Sequence, residues 1–146
     1  MLAAMSANPT LRASRQKLTG PDVWLGAEMA RSARWQRRLS AQQVEEIDAA
    51  LQQIKRRGLE WSAIAAADFP LPSIRSLVDD VRLELESGSG MMKLSGLPVS
   101  RYSEDELRRI YFGLGGHFGK PVFQNRSGEL MRAIRDEGAE VGKKYG

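Results

Sequence analysis

The sequence predicts an α+β fold in which N-terminal amphipathic helices pack on a few short strands. Residues 40–57, 73–88 and 103–118 each carry apolar side chains at the three- and four-residue spacing of one helix face. Residues 91–94 and 122–125 are short runs bounded by glycine or proline, a pattern that indicates strands. The hydrophobic content of 42% and the charged content of 27% are typical of a globular domain.

The first of these helices has a clear start and a clear end. Ser40 is expected to cap it, and Gln43 is expected to complete a capping box. Gly58 follows the last helical residue and can take the left-handed conformation that ends a helix. The face that we expect to be buried is a single apolar stripe, formed by Val44, Ile47, Leu51 and Ile54.

The second and third helices are expected to begin after Ser73 and Ser103. Glu106 follows Ser103 by three residues, which predicts a second capping box. Glu84 lies near the end of the second helix, where the helix dipole disfavours a negative charge. Gly119 is expected to end the third helix in a left-handed turn. The apolar face of that third helix is formed by Leu107, Ile110, Tyr111, Leu114 and Phe118.

Two tryptophans precede the first long helix. We expect Trp24 and Trp35 to pack against the helices that follow, because aromatic side chains commonly contribute to protein cores. An aromatic wall of a ligand site is the alternative. Arg34, Arg37 and Arg38 are expected to face solvent.

Composition and charge exclude several classes of site. The chain has no cysteine, which excludes disulfides and thiolate metal sites and suits a reducing compartment such as the cytoplasm. It has no apolar stretch near the ~20 residues that cross a membrane, so no membrane partner is expected. The net charge of +4 leaves weak, non-specific nucleic-acid binding as an alternative function, although no recognised nucleic-acid motif accompanies it.

One ordered series of motifs resembles a known family. GSG is followed by GLPVSRYSEDELRRIYFGLGGHFGKPVFQN and then by GELMRAIRDEG, with PDVWLGAEMA and ADFPLPSIRSLV upstream. This series resembles the N-terminal part of TauD/TfdA-type Fe(II)/2-oxoglutarate-dependent dioxygenases, which have the clavaminate-synthase-like fold. The resemblance covers the family portion over residues 21–142. Residues 1–20, with three basic and no acidic residues, are expected to form a disordered arm, with a targeting segment as the alternative, and residues 143–146 are expected to be a frayed C-terminus.

The resemblance implies both a fold and a reaction. Residues 21–142 would form an incomplete part of a double-stranded β-helix, or jelly roll. Members of the family hydroxylate a small organic substrate and decarboxylate 2-oxoglutarate at Fe(II), chemistry that the iron and the co-substrate supply while the protein positions them.

The iron ligands of that family are missing from the sequence. The family uses a His-x-Asp pair and a distant second histidine, whereas this chain has one histidine, His117, with Gly119 two residues later. One histidine without cysteine is also insufficient for a structural zinc site. We therefore expect the chain alone to bind no metal or cofactor and to be inactive, with Fe(II) and 2-oxoglutarate belonging to the full-length family.

Two polar residues are candidates for a substrate pocket. Gln124 and Asn125 end a predicted strand, and two adjacent amides on an apolar run need hydrogen-bonding partners. In a full enzyme we would place them nearest the substrate, and the alternative is that they pair with the backbone of the following turn. A second hypothesis for the whole chain is a small α+β interaction module that self-associates through exposed strands around residues 91–94 and 122–124.

Overall fold

The computed structural model describes residues 17–132, and this part of the chain has the predicted α+β fold. These residues form a two-stranded parallel sheet and four α-helices. One α-helix precedes the first strand, two lie between the strands, and one follows the second strand. The helices are α1 (Gly26–Met29), α2 (Ala41–Arg56), α3 (Arg75–Ser87) and α4 (Glu104–Phe118), and the strands are β1 (Gln36–Arg38) and β2 (Lys93–Ser95). One-turn 3-10 helices lie at Trp61–Ala63, Ala66–Asp68, Pro72–Ile74 and Val99–Arg101. The predicted arm and frayed C-terminus lie largely outside the described residues.

The two predicted capping boxes are confirmed. At the start of α2, Ser40 Oγ accepts a hydrogen bond from the Gln43 amide at 3.2 Å, and Gln43 Oε1 accepts one from the Ser40 amide at 2.9 Å. At the start of α4, Ser103 and Glu106 make the same pair of bonds at 3.3 and 2.9 Å. Gly58 has a φ of 62°, so α2 ends in the expected left-handed turn.

The expected cap at Ser73 is wrong. The chain first makes the 3-10 turn Pro72–Ile74, and α3 begins at Arg75 with Ile74 at the N-cap. The Ser73 amide and Oγ instead donate to Glu46 Oε2 at 3.0 and 2.8 Å, which ties the start of α3 to α2. Burial raises the pKa of the Glu46 carboxyl, but the hydrogen bonds from Ser73 and a further one from Gln42 outweigh it and lower the pKa.

The left-handed turn expected at Gly119 is also wrong. Gly119 is extended, with a φ of −179°, and its amide still donates to the Gly115 carbonyl at 3.1 Å. The last helical hydrogen bond is therefore completed without a left-handed residue, and the chain leaves α4 in an extended direction.

The sheet combines one predicted strand with one that was not predicted. Strand β2 overlaps the predicted run over residues 91–94 but is centred on Leu94. It pairs in parallel with β1, where Gln36 lies opposite Lys93 and Arg38 lies opposite Ser95. Strand β1 has the sequence Gln-Arg-Arg, so it offers no apolar alternation from which a strand could be predicted.

The strand predicted over residues 122–125 is wrong. This segment is irregular, and the Gln124 amide donates to the Glu129 carbonyl at 2.7 Å, which closes a turn. Val122 and Phe123 are 68% and 70% exposed. A strand needs a neighbouring strand for its backbone hydrogen bonds, and none pairs with this segment among residues 17–132.

The core lies between α2, α3 and α4, and Phe69 is one of its fully buried side chains. Phe69 is fully buried, and the Ile47 and Ile54 side chains of α2 are fully buried in the same cluster. On α4, Gly113 faces the Phe69 ring so closely that an added Cβ would lie 2.5 Å from Phe69 Cγ. The missing side chain at Gly113 therefore allows α4 to approach the 3-10 turn that precedes Phe69, and this contact fixes the position of α4.

The Trp24 indole attaches the N-terminal segment to the end of α3, whereas the Trp35 indole makes a hydrogen bond within that segment. Trp24 is 40% exposed, and its Nε1 donates to the Ser89 carbonyl at 3.0 Å, just after α3. Trp35 is partly buried, and its Nε1 donates to the Met29 carbonyl at 2.8 Å. Their packing is therefore less complete than the sequence suggests.

No helix within residues 17–132 is long and apolar enough to cross a membrane.

Hydrogen bonds stabilise the Glu84 carboxylate near the end of α3, although the helix dipole disfavours a negative charge there. Its carboxylate accepts hydrogen bonds from Ser89 Oγ at 2.6 Å, from the Ser89 amide at 2.9 Å and from Arg34 Nε at 2.9 Å. These bonds, led by those from Ser89, lower the pKa of Glu84 to about 2. The direct hydrogen bonds thus outweigh the unfavourable interaction of Glu84 with the helix dipole. Arg34 is exposed, as expected, but it also joins the segment before β1 to α3 through its bond to Glu84.

Two carboxylates make the fold sensitive to acid. The pKa of Glu106 is also lowered to about 2, first by the hydrogen bond from Lys55 and then by that from the Ser103 amide. Because both folded-state values lie below the ordinary value of 4.5, their contribution to stability is complete above pH 4.5. It is lost as the pH falls from 4.5 towards 2, since the unfolded chain then binds more protons.

We therefore expect the free energy of unfolding to fall over this acid range, and Glu84→Gln and Glu106→Gln each to make the fall shallower. Denaturant unfolding at a series of pH values measures this. Glu45→Gln, which removes a carboxyl group from an exposed position on α2, is the charge-matched control. Equal slopes in all four proteins would contradict the assignment.

Candidate functional site

An open groove of about 540 Å³ lies along α4 and is the candidate site. One wall is the loop that contains residues 64–66, and another is the segment over residues 119–131. We call it the α4 groove. Its lining is mainly apolar and aromatic, and includes Ile64, Tyr111, Phe112, Phe118, Val122 and Met131.

The spacing of residues on α4 builds the groove. Tyr111, Gly115 and Phe118 are four and three residues apart, so they share one helix face. An added Cβ at Gly116 would lie 3.3 Å from the Ala66 amide nitrogen, which shows how closely the loop approaches the helix. At Gly115 and Gly119 an added Cβ would meet no atom within 4 Å. Glycine at these two positions leaves the groove open.

The structure separates the two predicted site residues. Gln124 lines the α4 groove, where its Nε2 donates to the Val122 carbonyl at 3.0 Å. Asn125 instead organises the following turn: its Oδ1 accepts from the Glu129 amide at 3.1 Å, and its Nδ2 donates to the Glu129 carboxylate. The geometry thus places only Gln124 at the groove, and the role of either residue in substrate binding stays a prediction.

His117 is engaged within the fold. Its Nε2 lies 2.8 Å from the Phe69 carbonyl oxygen, and because a carbonyl can only accept, Nε2–H is the donor. That hydrogen bond leaves Nδ1 as the ring nitrogen with a lone pair. Within residues 17–132, no group of three histidine, cysteine or acidic side chains could hold a metal ion. The described residues therefore do not fit the iron centre that the family resemblance implies.

Sequence reasoning missed two features of the site. The helical spacing predicts Tyr111 on the buried face of α4, but Tyr111 is 70% exposed, at the edge of the groove. Lys120 also lines the groove and was not singled out. The signal for Tyr111 was its phenol, which suits a position that is partly apolar and partly wet. The signal for Lys120 was its place just beyond the end of α4 and before a proline.

An aromatic cluster supports α4 beside the groove. The Trp61 and Phe112 rings meet edge to face, with centroids 5.2 Å apart and planes at 81°. The Arg108 guanidinium lies 5.7 Å from the Trp61 ring centroid, within the range of a cation–π contact. Because Phe112 lines the groove and also contacts Trp61, this cluster holds one wall in place.

Comparison with known proteins relates the chain to a longer one. No family model matches the sequence. The chain is 29% identical to FR-33289 synthase of Streptomyces rubellomurinus (strain ATCC 31215) over 124 residues. These residues make up 85% of the chain but 37% of the synthase, so the chain spans a little over a third of the length of this relative. Most of the chain is thus similar to one part of a larger synthase.

Proposed function

We propose that the chain is the N-terminal part of an Fe(II)/2-oxoglutarate-dependent dioxygenase that hydroxylates a small organic substrate. The observation that carries the proposal is the similarity to FR-33289 synthase, which covers 85% of the chain and only 37% of that protein. The motif series that resembles TauD/TfdA-type enzymes adds support, and its described part includes β2, α4 and the segment beside the α4 groove.

In this proposal the chain contributes a wall of the substrate pocket and no metal ligand. The α4 groove supplies an apolar surface, and Gln124 supplies an amide at its edge. A facial iron site needs two imidazoles and one carboxylate, and the 146 residues include one histidine, so this chain alone would not complete the Fe(II) site. The absence of cysteine suits the cytoplasm, which we propose as its compartment.

The coding sequence that follows the codon for Gly146 tests the proposal. We expect a His-x-Asp pattern soon after that codon, and a second histidine far downstream in the same frame, because the facial iron site needs two imidazoles and one carboxylate. Absence of such a pattern from all three reading frames would contradict the assignment to an iron dioxygenase.

Self-association is the second candidate, and it is favoured by exposed apolar side chains. Tyr111 and Phe123 are 70% exposed, Val122 is 68% exposed, and the sheet formed within residues 17–132 has two strands. Exposed strand edges and apolar patches recruit partners. Nucleic-acid binding is not proposed, since Arg34, Arg37 and Arg101 each form an ion pair with a carboxylate.

Light scattering after size-exclusion chromatography distinguishes this candidate. If the surface around Phe123 self-associates, the mass should rise with concentration, and Phe123→Glu should return it to the monomer value. Leu83→Glu is the matched control, because Leu83 is 67% exposed on α3. A monomer at every concentration would exclude the candidate.

A further inference from the structure

We propose that a hollow between α3 and the end of α4 binds a small zwitterion with a carboxylate beside an ammonium group, such as a free α-amino acid with an alkyl side chain. We call it the α3 hollow, and its described lining includes Arg75, Asp79 and Arg82 of α3 and His117 of α4. Its volume of about 380 Å³ lies within the range of about 300 to 1,000 Å³ that is common for small-molecule sites. None of the described residues that line it also lines the α4 groove, so this is a second site and does not rest on the proposed function.

Three charged side chains of α3 border the hollow. Arg75, Asp79 and Arg82 are four and three residues apart, so they lie on one helix face. Within residues 17–132, the Arg75 guanidinium and the Asp79 carboxylate make no hydrogen bond or ion pair. The Arg82 Nη2 donates one long hydrogen bond to the His117 carbonyl at 3.4 Å, which leaves most of its five N–H donors unused by that bond. This face therefore offers groups of both signs of charge to a ligand.

The mixture of charges selects a zwitterion. A ligand carboxylate can bind Arg75 and Arg82, because a guanidinium presents paired N–H donors that match carboxylate oxygens. A ligand ammonium group can donate to the Asp79 carboxylate between them. A simple anion would approach Asp79 without neutralising it, so the ammonium group distinguishes a zwitterion from other carboxylates at this site.

The floor of the hollow is apolar and rigid. Leu71, Ile74 and Val78 line it and are buried members of the core. A short alkyl chain can lie on this floor, but the floor exposes little apolar area for it to cover. The affinity therefore depends mainly on the charged contacts, and we expect a dissociation constant in the millimolar range.

Three ligands with one carbon skeleton separate the contributions of the charges. Norleucine carries both charged groups, hexanoate lacks the ammonium group, and pentylamine lacks the carboxylate. Titration of the isotope-labelled chain, followed by amide chemical shifts, measures both the affinity and the location. We expect norleucine to bind about fivefold more tightly than either analogue. It should shift amides over residues 71–82 and leave Gly115 and Gly119 in the α4 groove unchanged.

Two substitutions test the two signs of charge separately. Arg75→Gln should weaken norleucine and hexanoate about fivefold and leave pentylamine unchanged, since pentylamine has no carboxylate. Asp79→Asn should weaken norleucine and pentylamine about fivefold and should not weaken hexanoate. Arg31→Gln and Asp22→Asn, at exposed positions outside the hollow, are the matched controls and should change none of the three. Circular dichroism of each variant confirms that its helices are retained.

The proposal is overturned if norleucine shows no saturable binding, if hexanoate binds as tightly as norleucine, or if Arg75→Gln leaves norleucine binding unchanged. Shifts confined to the α4 groove would also overturn it, because the amino acid would then occupy the other site. An equal loss of all three ligands in Asp79→Asn would contradict it as well, since the effect would not depend on the charge of the ligand.

Discussion

Gly113→Ala is expected to lower the free energy of unfolding by about 2 kcal/mol, within the usual range for overpacking a core. The added methyl group would lie 2.5 Å from Phe69 Cγ and 2.7 Å from Phe69 Cδ2, closer than any carbon contact allows. Phe69 is fully buried, so its ring can move away only by displacing other core side chains. Denaturant unfolding followed by tryptophan fluorescence measures the change.

Gly115→Ala on the same helix is the control, and the opposite sign is expected. A Cβ there meets nothing within 4 Å, so only the helix propensity changes, which should raise stability by up to about 1 kcal/mol. In a Phe69→Leu background the cost of Gly113→Ala should shrink, because the two side chains then no longer compete for the same space. Equal effects of the two glycine substitutions would contradict the packing of α4 on Phe69.

The helices could be predicted from the sequence because their signals are local. Ser40 with Gln43, and Ser103 with Glu106, define helix starts within four residues of chain, and the structure forms both boxes. Ser73 carries the same kind of signal, yet its hydrogen bonds go to Glu46 on another helix. Local spacing does not reveal a hydrogen-bonding partner that is distant in sequence, so the predicted start of α3 after Ser73 is wrong.

Strands depend more strongly on distant partners. Residues 36–38 are polar and form a strand because β2 lies alongside them, with the Leu39 amide donating to the Ser95 carbonyl at 2.8 Å. Val122 and Phe123 have the residue types of a strand but lack a neighbouring strand among the described residues. The residue types indicate which conformation a segment prefers, and the presence of a neighbouring strand decides whether the segment forms a strand.

The candidate site was predictable only in part. Gln124 is a polar residue at the end of an apolar run, which predicts a place in a pocket, and it lines the α4 groove. The same argument applies to Asn125, but its side-chain amide makes hydrogen bonds with the backbone and carboxylate of Glu129, four residues later. The groove itself depends on the approach of the loop at Ala66 to α4, a contact between segments far apart in sequence, which helical periodicity does not reveal.

The largest functional effect is expected to be a complete lack of oxygenase turnover. The 146-residue chain has one histidine, and that side chain donates Nε2–H to the Phe69 carbonyl. Two imidazoles and a carboxylate are required for the facial iron site. His117→Ala should therefore leave the lack of turnover unchanged, although it removes a hydrogen bond that joins α4 to Phe69.

Succinate release from 2-oxoglutarate, measured with the purified 146-residue chain, Fe(II) and oxygen, tests the central claim most directly. We predict a rate equal to that of the same mixture without protein, for the wild-type chain and for His117→Ala alike. Succinate formed in proportion to the amount of wild-type chain, and lost in His117→Ala, would show that the chain assembles its own iron centre and would contradict this account.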